Sequence, residues 1–230
     1  MCDGRTYMPI PNILHNIFVG TKLPDIYKQC QTELRRVHPE FEYRLYTERD
    51  MDASMKQHFP EYYDAFQSLP RMIMKINMFR YGLMYLYGGV YTDMDYFMLR
   101  PFDVLDKEVV LPCSKEDANG NPICLGNCIF ASVPNHPFWK SLMDTLCAID
   151  RTSIDWNLDT NIEGSVFGTG SMFVLDMWKK YSASANDIWV PPRSMFHPPS
   201  TCDCTKLEEL KSCGCYGIHM GVGLWRYLRL

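Results

Sequence analysis

The chain has 230 residues, 47% hydrophobic and 13% aromatic, which is enough for one sizeable core or two small ones and too apolar for a disordered chain. Its 23 basic and 27 acidic residues give a net charge of −4, with no basic cluster to displace phosphate counterions, and this excludes a nucleic-acid binder. No run supplies the roughly 18 apolar residues of a membrane span, and the stretch between Arg80 and Asp93 is broken by Gly82, Gly88, Gly89 and Thr92.

Met1–Ile10 carries Asp3 and Arg5 and has no apolar centre, so it does not read as a signal peptide, and a cytoplasmic protein is expected. In chain order, Ile10–Val19 predicts a strand closed by Gly20, and Thr21–His38 has helical spacing that Pro39 stops. Phe41–Tyr46 alternates like a strand, and Ser54–Phe66 reads as short helices broken at Pro60. Met72–Tyr87 is the strongest helix, ended by the Gly88-Gly89 pair. Strands follow at Val90–Asp95, Glu108–Pro112, Ile129–Ser132 and Ile188–Val190, with helices at Pro137–Ile149 and Ser171–Tyr181. Strands alternating with helices favour an α/β fold on a mostly parallel sheet. No repeat or linker divides the chain, so one domain over residues 1–230 is expected.

Ten cysteines without a secretory signal are expected to be reduced thiols. Cys202-Asp-Cys204 and Cys213-Gly-Cys215 offer four thiolates on two short segments, which a structural zinc could hold; free thiols and disulfides remain the other readings. His15 lies within the first strand and is expected to be structural, and His38, His58 and His197 are given no role.

Asp-x-Asp occurs twice. Asp50-Met51-Asp52 lies between a strand and a helix, where Asp commonly caps the helix N-terminus, so this copy is expected to be structural and Asp52 dispensable for chemistry. Asp93 and Asp95 close the strand that starts at Val90, and alternate residues of an extended segment face one side. The carboxyl end of such a strand is where α/β sheets collect ligands, and two carboxylates there can hold Mg²⁺ or Mn²⁺ against a diphosphate.

The block Lys75-Ile-Asn-Met-Phe-Arg80-Tyr81, Gly88-Gly89-Val-Tyr91 and Asp93-Met-Asp95 resembles the signature of the DXD-motif nucleotide-sugar glycosyltransferases of family 32. That family includes initiating mannosyltransferases of yeast and relatives in capsular polysaccharide synthesis and large viruses. Ile10–Gly20, Pro101-Phe-Asp103, Asn127 with Pro134–Pro137, Gly168-Thr169-Gly170 and His219–Trp225 look like further segments of it.

The resemblance implies a GT-A fold with a Rossmann-like, mostly parallel central sheet flanked by helices. It also implies a divalent cation, Mn²⁺ or Mg²⁺, and sugar transfer with retention from a UDP- or GDP-linked donor to a glycan or lipid hydroxyl. Position by position, it makes Asp93 and Asp95 the DXD pair, with Asp95 on the metal and Asp93 on the donor or metal. Arg80 becomes the helix arginine facing the donor, and Phe18 stands where the family usually has Trp beside the base, followed by Val19. His219 falls near the metal and diphosphate, and Trp225 closes over the donor. Asn127, Thr169 and Gly170 fall on the acceptor side. Asn77 stands where the family commonly has Asp; it shares a helix face with Arg80 but lacks the charge. That departure keeps a second reading open, a non-catalytic nucleotide-sugar-binding module of the same fold. A metal-dependent phosphohydrolase is a weaker rival, because no second cluster of carboxylate or His ligands adjoins Asp95 in the sequence.

Overall fold

The computed structural model describes residues 9–148, 168–182, 184–198 and 207–222, and every structural statement below is made of these. The chain opens with β1 (Ile13–Ile17), α1 (Asp25–Val37), β2 (Glu42–Tyr46), α2 (Glu48–His58), α3 (Pro60–Gln67) and α4 (Met72–Tyr87). Next come β3 (Gly89–Thr92), β4 (Tyr96–Met98), β5 (Val109–Val110), the hairpin of β6 (Cys113–Glu116) and β7 (Pro122–Leu125), and β8 (Ile129–Ser132). The described remainder is α5 (Pro137–Ala148), α6 (Ser171–Ser182), β9 (Ile188–Trp189), α7 (Arg193–Phe196), α8 (Leu207–Ser212) and β10 (Gly217–His219).

Six strands form the central sheet in the order β2-β1-β3-β8-β5-β9. β1 runs parallel to β2 and β3, and β5 parallel to β9. β8 alone runs against its two neighbours. The sheet is therefore mixed but mostly parallel, with helices on both faces. Period-2 alternation builds the two cores. Tyr91 and Phe130 point to the side covered by α2 to α6, whereas Val90, Ile129 and Ala131 point to the side that holds Leu34 of α1, Phe196 of α7 and Tyr216.

α4 is the central helix, apolar nearly all round and buried along most of its length, as expected of a helix inside a core rather than at its surface. It must turn straight into the sheet, and Gly88 makes the corner at φ +62° with its N–H on the Met84 carbonyl. A Cβ there would sit 2.5 Å from the Ser132 carbonyl oxygen, so only glycine fits both the backbone and the space.

Besides β6, β7, α7 and α8, which the sequence reading did not name, three departures bear on the site. α2 starts at Glu48, well before Ser54, because Thr47 and Asp50 form a capping box: the Asp50 N–H donates to the Thr47 hydroxyl and the Thr47 N–H to the Asp50 carboxylate. The strand through the second Asp-x-Asp stops at Thr92, and Met94 and Asp95 form a turn into β4. Finally, β4 pairs antiparallel with β10, His219 opposite Tyr96. This pairing has no local sequence signal.

Candidate active site

The corner after α4 delivers the acidic pair to the carboxyl end of β3, beside the same ends of β1 and β2. The Asp93 N–H bonds the Cys128 carbonyl at 2.8 Å and so extends the ladder with β8 by one residue. Because Asp93 and Asp95 span a turn, each carboxylate has its own partners. Asp93 Oδ1 accepts the Tyr91 hydroxyl at 2.6 Å and stands 3.1 Å from the Arg80 guanidinium. Arg80 is only 2% exposed; it lies over the Tyr91 ring at 4.7 Å and donates to the Asn127 carbonyl. Burial raises the Tyr91 hydroxyl well above its ordinary pKa, so it stays protonated and donates to the carboxylate.

Asp95 is 6% exposed. Its Oδ2 accepts the Val222 N–H at 2.9 Å, and its Oδ1 lies 3.2 Å from His219 Nε2. Burial opposes the Asp95 charge, but the His219 imidazole and the Val222 N–H outweigh it and hold the pKa below the ordinary carboxylate value. Cys128, and then Asp95, favour the protonated His219 ring and push it up. The Cys128 thiol is itself raised by burial and neutral at pH 7, so the Asp95 charge is what holds the imidazolium. The nearest donor atoms of Asp93, Asp95 and His219 all lie within 4.8 Å of one another. Two carboxylates and an imidazole, partly open to solvent, suit a divalent cation, which would compete with the ring proton for the His219 lone pair.

A second hydrogen-bonded group joins four residues of the sequence reading. Asn77 Nδ2 donates to the Thr169 hydroxyl and Asn127 Nδ2 to Asn77 Oδ1, both at 2.9 Å. The Arg80 bond to the Asn127 carbonyl ties this group to Asp93. Tyr81, which the sequence reading passed over, donates its buried hydroxyl to the Thr169 carbonyl at 2.6 Å. One face of α4 therefore clamps two segments, 126–128 and 168–170, and the Gly170 carbonyl accepts the Val174 N–H where α6 begins.

Phe18 and Val19 line an open cleft of about 620 Å³ at the carboxyl ends of β1 and β2, with Glu48, Asp52, Gln67 and Lys75 among its other walls. Asp52 does not cap α2, as Thr47 and Asp50 already do so. Instead its Oδ1 accepts the Tyr63 hydroxyl at 2.9 Å and Gln67 Nε2 at 2.5 Å.

The remaining candidates fall elsewhere. Trp225, Cys202 and Cys204 lie outside the described residues. Cys213 is exposed, whereas Cys215 is buried with its thiol on the Gly217 carbonyl at 3.3 Å. His15 is buried with both nitrogens bonded, Nε2 to the Gly88 carbonyl at 2.9 Å and Nδ1 to the Tyr46 hydroxyl at 3.1 Å. His38 joins the Leu34 carbonyl to the Phe102 N–H. A second His-carboxylate group, Glu108, His136 and Asp187, sits at the opposite end of the sheet, just before β5 and β9. His136 Nδ1 accepts the Phe138 N–H, so Nε2 carries the ring proton toward the two carboxylates. This is a helix cap more than a metal ligand.

Residues 24–111 match the family described as the glycosyltransferase sugar-binding region containing a DXD motif. Mannosyl phosphorylinositol ceramide synthase CSH1 of Saccharomyces cerevisiae is 29% identical over 178 residues, 77% of this chain and 44% of that protein. Inositol phosphoceramide mannosyltransferase 1 of Schizosaccharomyces pombe is 31% identical over 133 residues, 56% of this chain and 40% of that one. The chain spans less than half the length of either relative. Among solved structures, the ligand-free glycosyltransferase domain of the YGT toxin superposes with TM-score 0.56 at 9% identity, over 80% of each chain. Its UDP-bound form gives TM-score 0.52 at 10% identity, over 76% of this chain and 68% of that one. At such identities the likeness shows the fold alone, and that fold is GT-A.

Proposed function

We infer that the chain, whose residues 24–111 match the DXD-containing sugar-binding region of glycosyltransferases, moves a hexose from a nucleotide-diphosphate donor to a hydroxyl of a glycan or lipid acceptor. The observation that carries the reading is the convergence of Asp93, Asp95 and His219 at the carboxyl end of the sheet, beside a cleft that opens at Phe18. The names of the yeast relatives, which act on inositol phosphoceramide, support a mannosyl-type transfer and a lipid-linked acceptor. Retention of anomeric configuration and a single catalytic domain over residues 1–230 belong to the same proposal.

Asp95, Asp93 and His219 would hold a divalent cation, with Mn²⁺ the first choice. When bound, the ion supplies Lewis-acid neutralisation of the charge that grows on the departing diphosphate. This chain's residues do the rest. Arg80 fixes the Asp93 carboxylate and adds a buried positive charge facing the donor. Tyr91 keeps one Asp93 oxygen occupied, which leaves the other for ligand. The Val222 N–H orients Asp95, and the clamp from Asn77 and Tyr81 sets the height of Asn127 and Thr169 on the acceptor side. Trp225 is carried as the aromatic that closes over the donor.

The test is a panel of UDP- and GDP-sugars with Mn²⁺, scored by thermal shift and then by donor turnover and product anomer. A ligand at 100 times its Kd should stabilise by about 2.7 kcal/mol. Binding without any turnover, with or without acceptor, would make the chain a nucleotide-sugar-binding module instead.

A further inference from the structure

We propose that Cys128, His197 and His219 form a second cation site behind the acidic pair, one that takes Zn²⁺ and withdraws His219 from the Mn²⁺ site. The zinc site stands on the contacts below, and only its competition with Mn²⁺ rests on the cation reading above.

His197 leads to it. The residue closes α7, its N–H on the Arg193 carbonyl at 2.7 Å, and it is only 9% exposed. Among the described residues its ring nitrogens find only the Cys128 sulfur, at 4.0 Å from Nδ1 and 3.9 Å from Nε2. Buried polar groups are normally hydrogen-bonded to oxygen or nitrogen, and one that is not asks for a reason, an absent ion among them. Room for the ring is built into the chain. A Cβ on Gly126 would lie 2.1 Å from His197 Nε2, so the imidazole occupies space that only glycine leaves. Burial, helped by the charges of His219 and Arg193, pushes its pKa down to about 3, and a neutral ring keeps a lone pair for a metal.

Cys128 joins this ring to the acidic pair. Its carbonyl accepts the Asp93 N–H, but its side chain packs on the other face of the sheet, among Tyr96, Phe196 and Tyr216. There the sulfur has His197 on one side and the His219 ring within hydrogen-bonding reach on the other. His219 Nε2 is in turn 3.2 Å from Asp95 Oδ1. The row is therefore carboxylate, imidazole, thiol, imidazole. Its acidic end suits Mn²⁺ or Mg²⁺, and its sulfur end suits Zn²⁺, which takes four such ligands tetrahedrally, with Asp95 or a water as the fourth. Both ends need His219, and a neutral imidazole has a single free lone pair. Zinc binding forms the sulfur and nitrogen bonds to the metal and releases two protons to solvent, one from the Cys128 thiol and one from the His219 imidazolium.

Co²⁺ is the probe, because it takes zinc sites and shows a sulfur-to-metal charge-transfer band when a thiolate binds it. The full chain, Cys128→Ser and His197→Phe are titrated with Co²⁺ and then Zn²⁺, beside calorimetry of Mn²⁺ binding and each melting temperature. His197→Phe keeps a ring against Tyr96 and removes only the nitrogens. The unmodified chain is expected to show the sulfur band and to lose it on adding Zn²⁺. Cys128→Ser should lack the band, and His197→Phe should bind Co²⁺ about tenfold or more weakly. Both variants should hold Mn²⁺ as the unmodified chain does, while Zn²⁺ displaces Mn²⁺ about tenfold or more weakly from Cys128→Ser. No sulfur band, a band that survives Cys128→Ser, or Co²⁺ binding unchanged in His197→Phe overturns the zinc site. Equal displacement of Mn²⁺ from the unmodified chain and Cys128→Ser overturns its hold on His219. Failure of Mn²⁺ to bind at all sinks the cation reading of Asp93 and Asp95, and the sulfur band then decides the zinc site by itself.

Discussion

The Arg80 guanidinium and the Asp93 carboxylate, 3.1 Å apart, form a charge pair whose cationic half is buried in α4 and whose anionic half reaches into the candidate active site. Removing Asp93 would leave the buried guanidinium uncompensated, whereas removing Arg80 leaves a carboxylate that still reaches solvent and takes the donor away from the Asn127 carbonyl.

Arg80→Met is expected to lower donor turnover by about a hundredfold and to cost about 1–3 kcal/mol of stability through the lost bond to the Asn127 carbonyl, with Arg80→Lys intermediate because a lysine cannot fork between Asp93 and the Asn127 carbonyl. Chemical denaturation and steady-state turnover of the two variants check this. Unchanged turnover in Arg80→Met would remove Arg80 from the donor site.

Asp95→Asn should abolish metal-dependent nucleotide binding, because an amide is a poorer ligand than a carboxylate for a hard cation. Chelation of the unmodified protein should do the same. Calorimetry of nucleotide binding with Mn²⁺ and with chelator measures both, and equal affinity in the two conditions would sink the proposed cation site.

Tyr81→Phe deletes the hydroxyl that donates to the buried Thr169 carbonyl, at a cost of about 0.5–1.5 kcal/mol. The clamp account further expects the KM for acceptor to rise several-fold while the Kd for nucleotide stays put. A stability loss with both constants unchanged would make the tyrosine merely structural.

His15 gives the stability a specific acid limb. Burial pushes its pKa down to about 3 from an ordinary 6.5. The unfolded ring takes up a proton near pH 6.5 and the folded ring does not until about pH 3, so its contribution is full above about pH 6.5 and is lost as pH falls through that window. One ring accounts for up to about 1.4 kcal/mol per pH unit. Urea unfolding at pH 7, 6 and 5 should show a flatter profile for His15→Gln, and equal slopes would refute the assignment.

The helix-to-sheet passage from Lys75 to Asp95 was legible because its signals are local: a long apolar run, two glycines, then paired acids. α2 was misread at its start although its signal was present, since Thr47 and Asp50 are a capping box in plain sight. Missing it also hid the i, i+4 relation that puts Glu48 and Asp52 on one wall. β10 could not be read from composition at all. Three residues carry no periodicity, and the strand exists only because β4 offers an edge. His219 was reached through resemblance, whereas Tyr91 and Tyr81 stood in the signature block without a role, because nothing in a sequence shows which oxygen a hydroxyl finds.

The β4–β10 pairing also sets an order of events during synthesis. Asp93 and Asp95 leave the ribosome long before His219 and the Val222 amide, and at roughly 5–20 residues per second the carboxylates wait several seconds for the partners that β10 brings. Until then the acidic turn is exposed without its imidazole. A nascent chain that forms the α4–β3 corner gains the proposed ligand set only when β10 docks, so translation itself would delay the proposed activity.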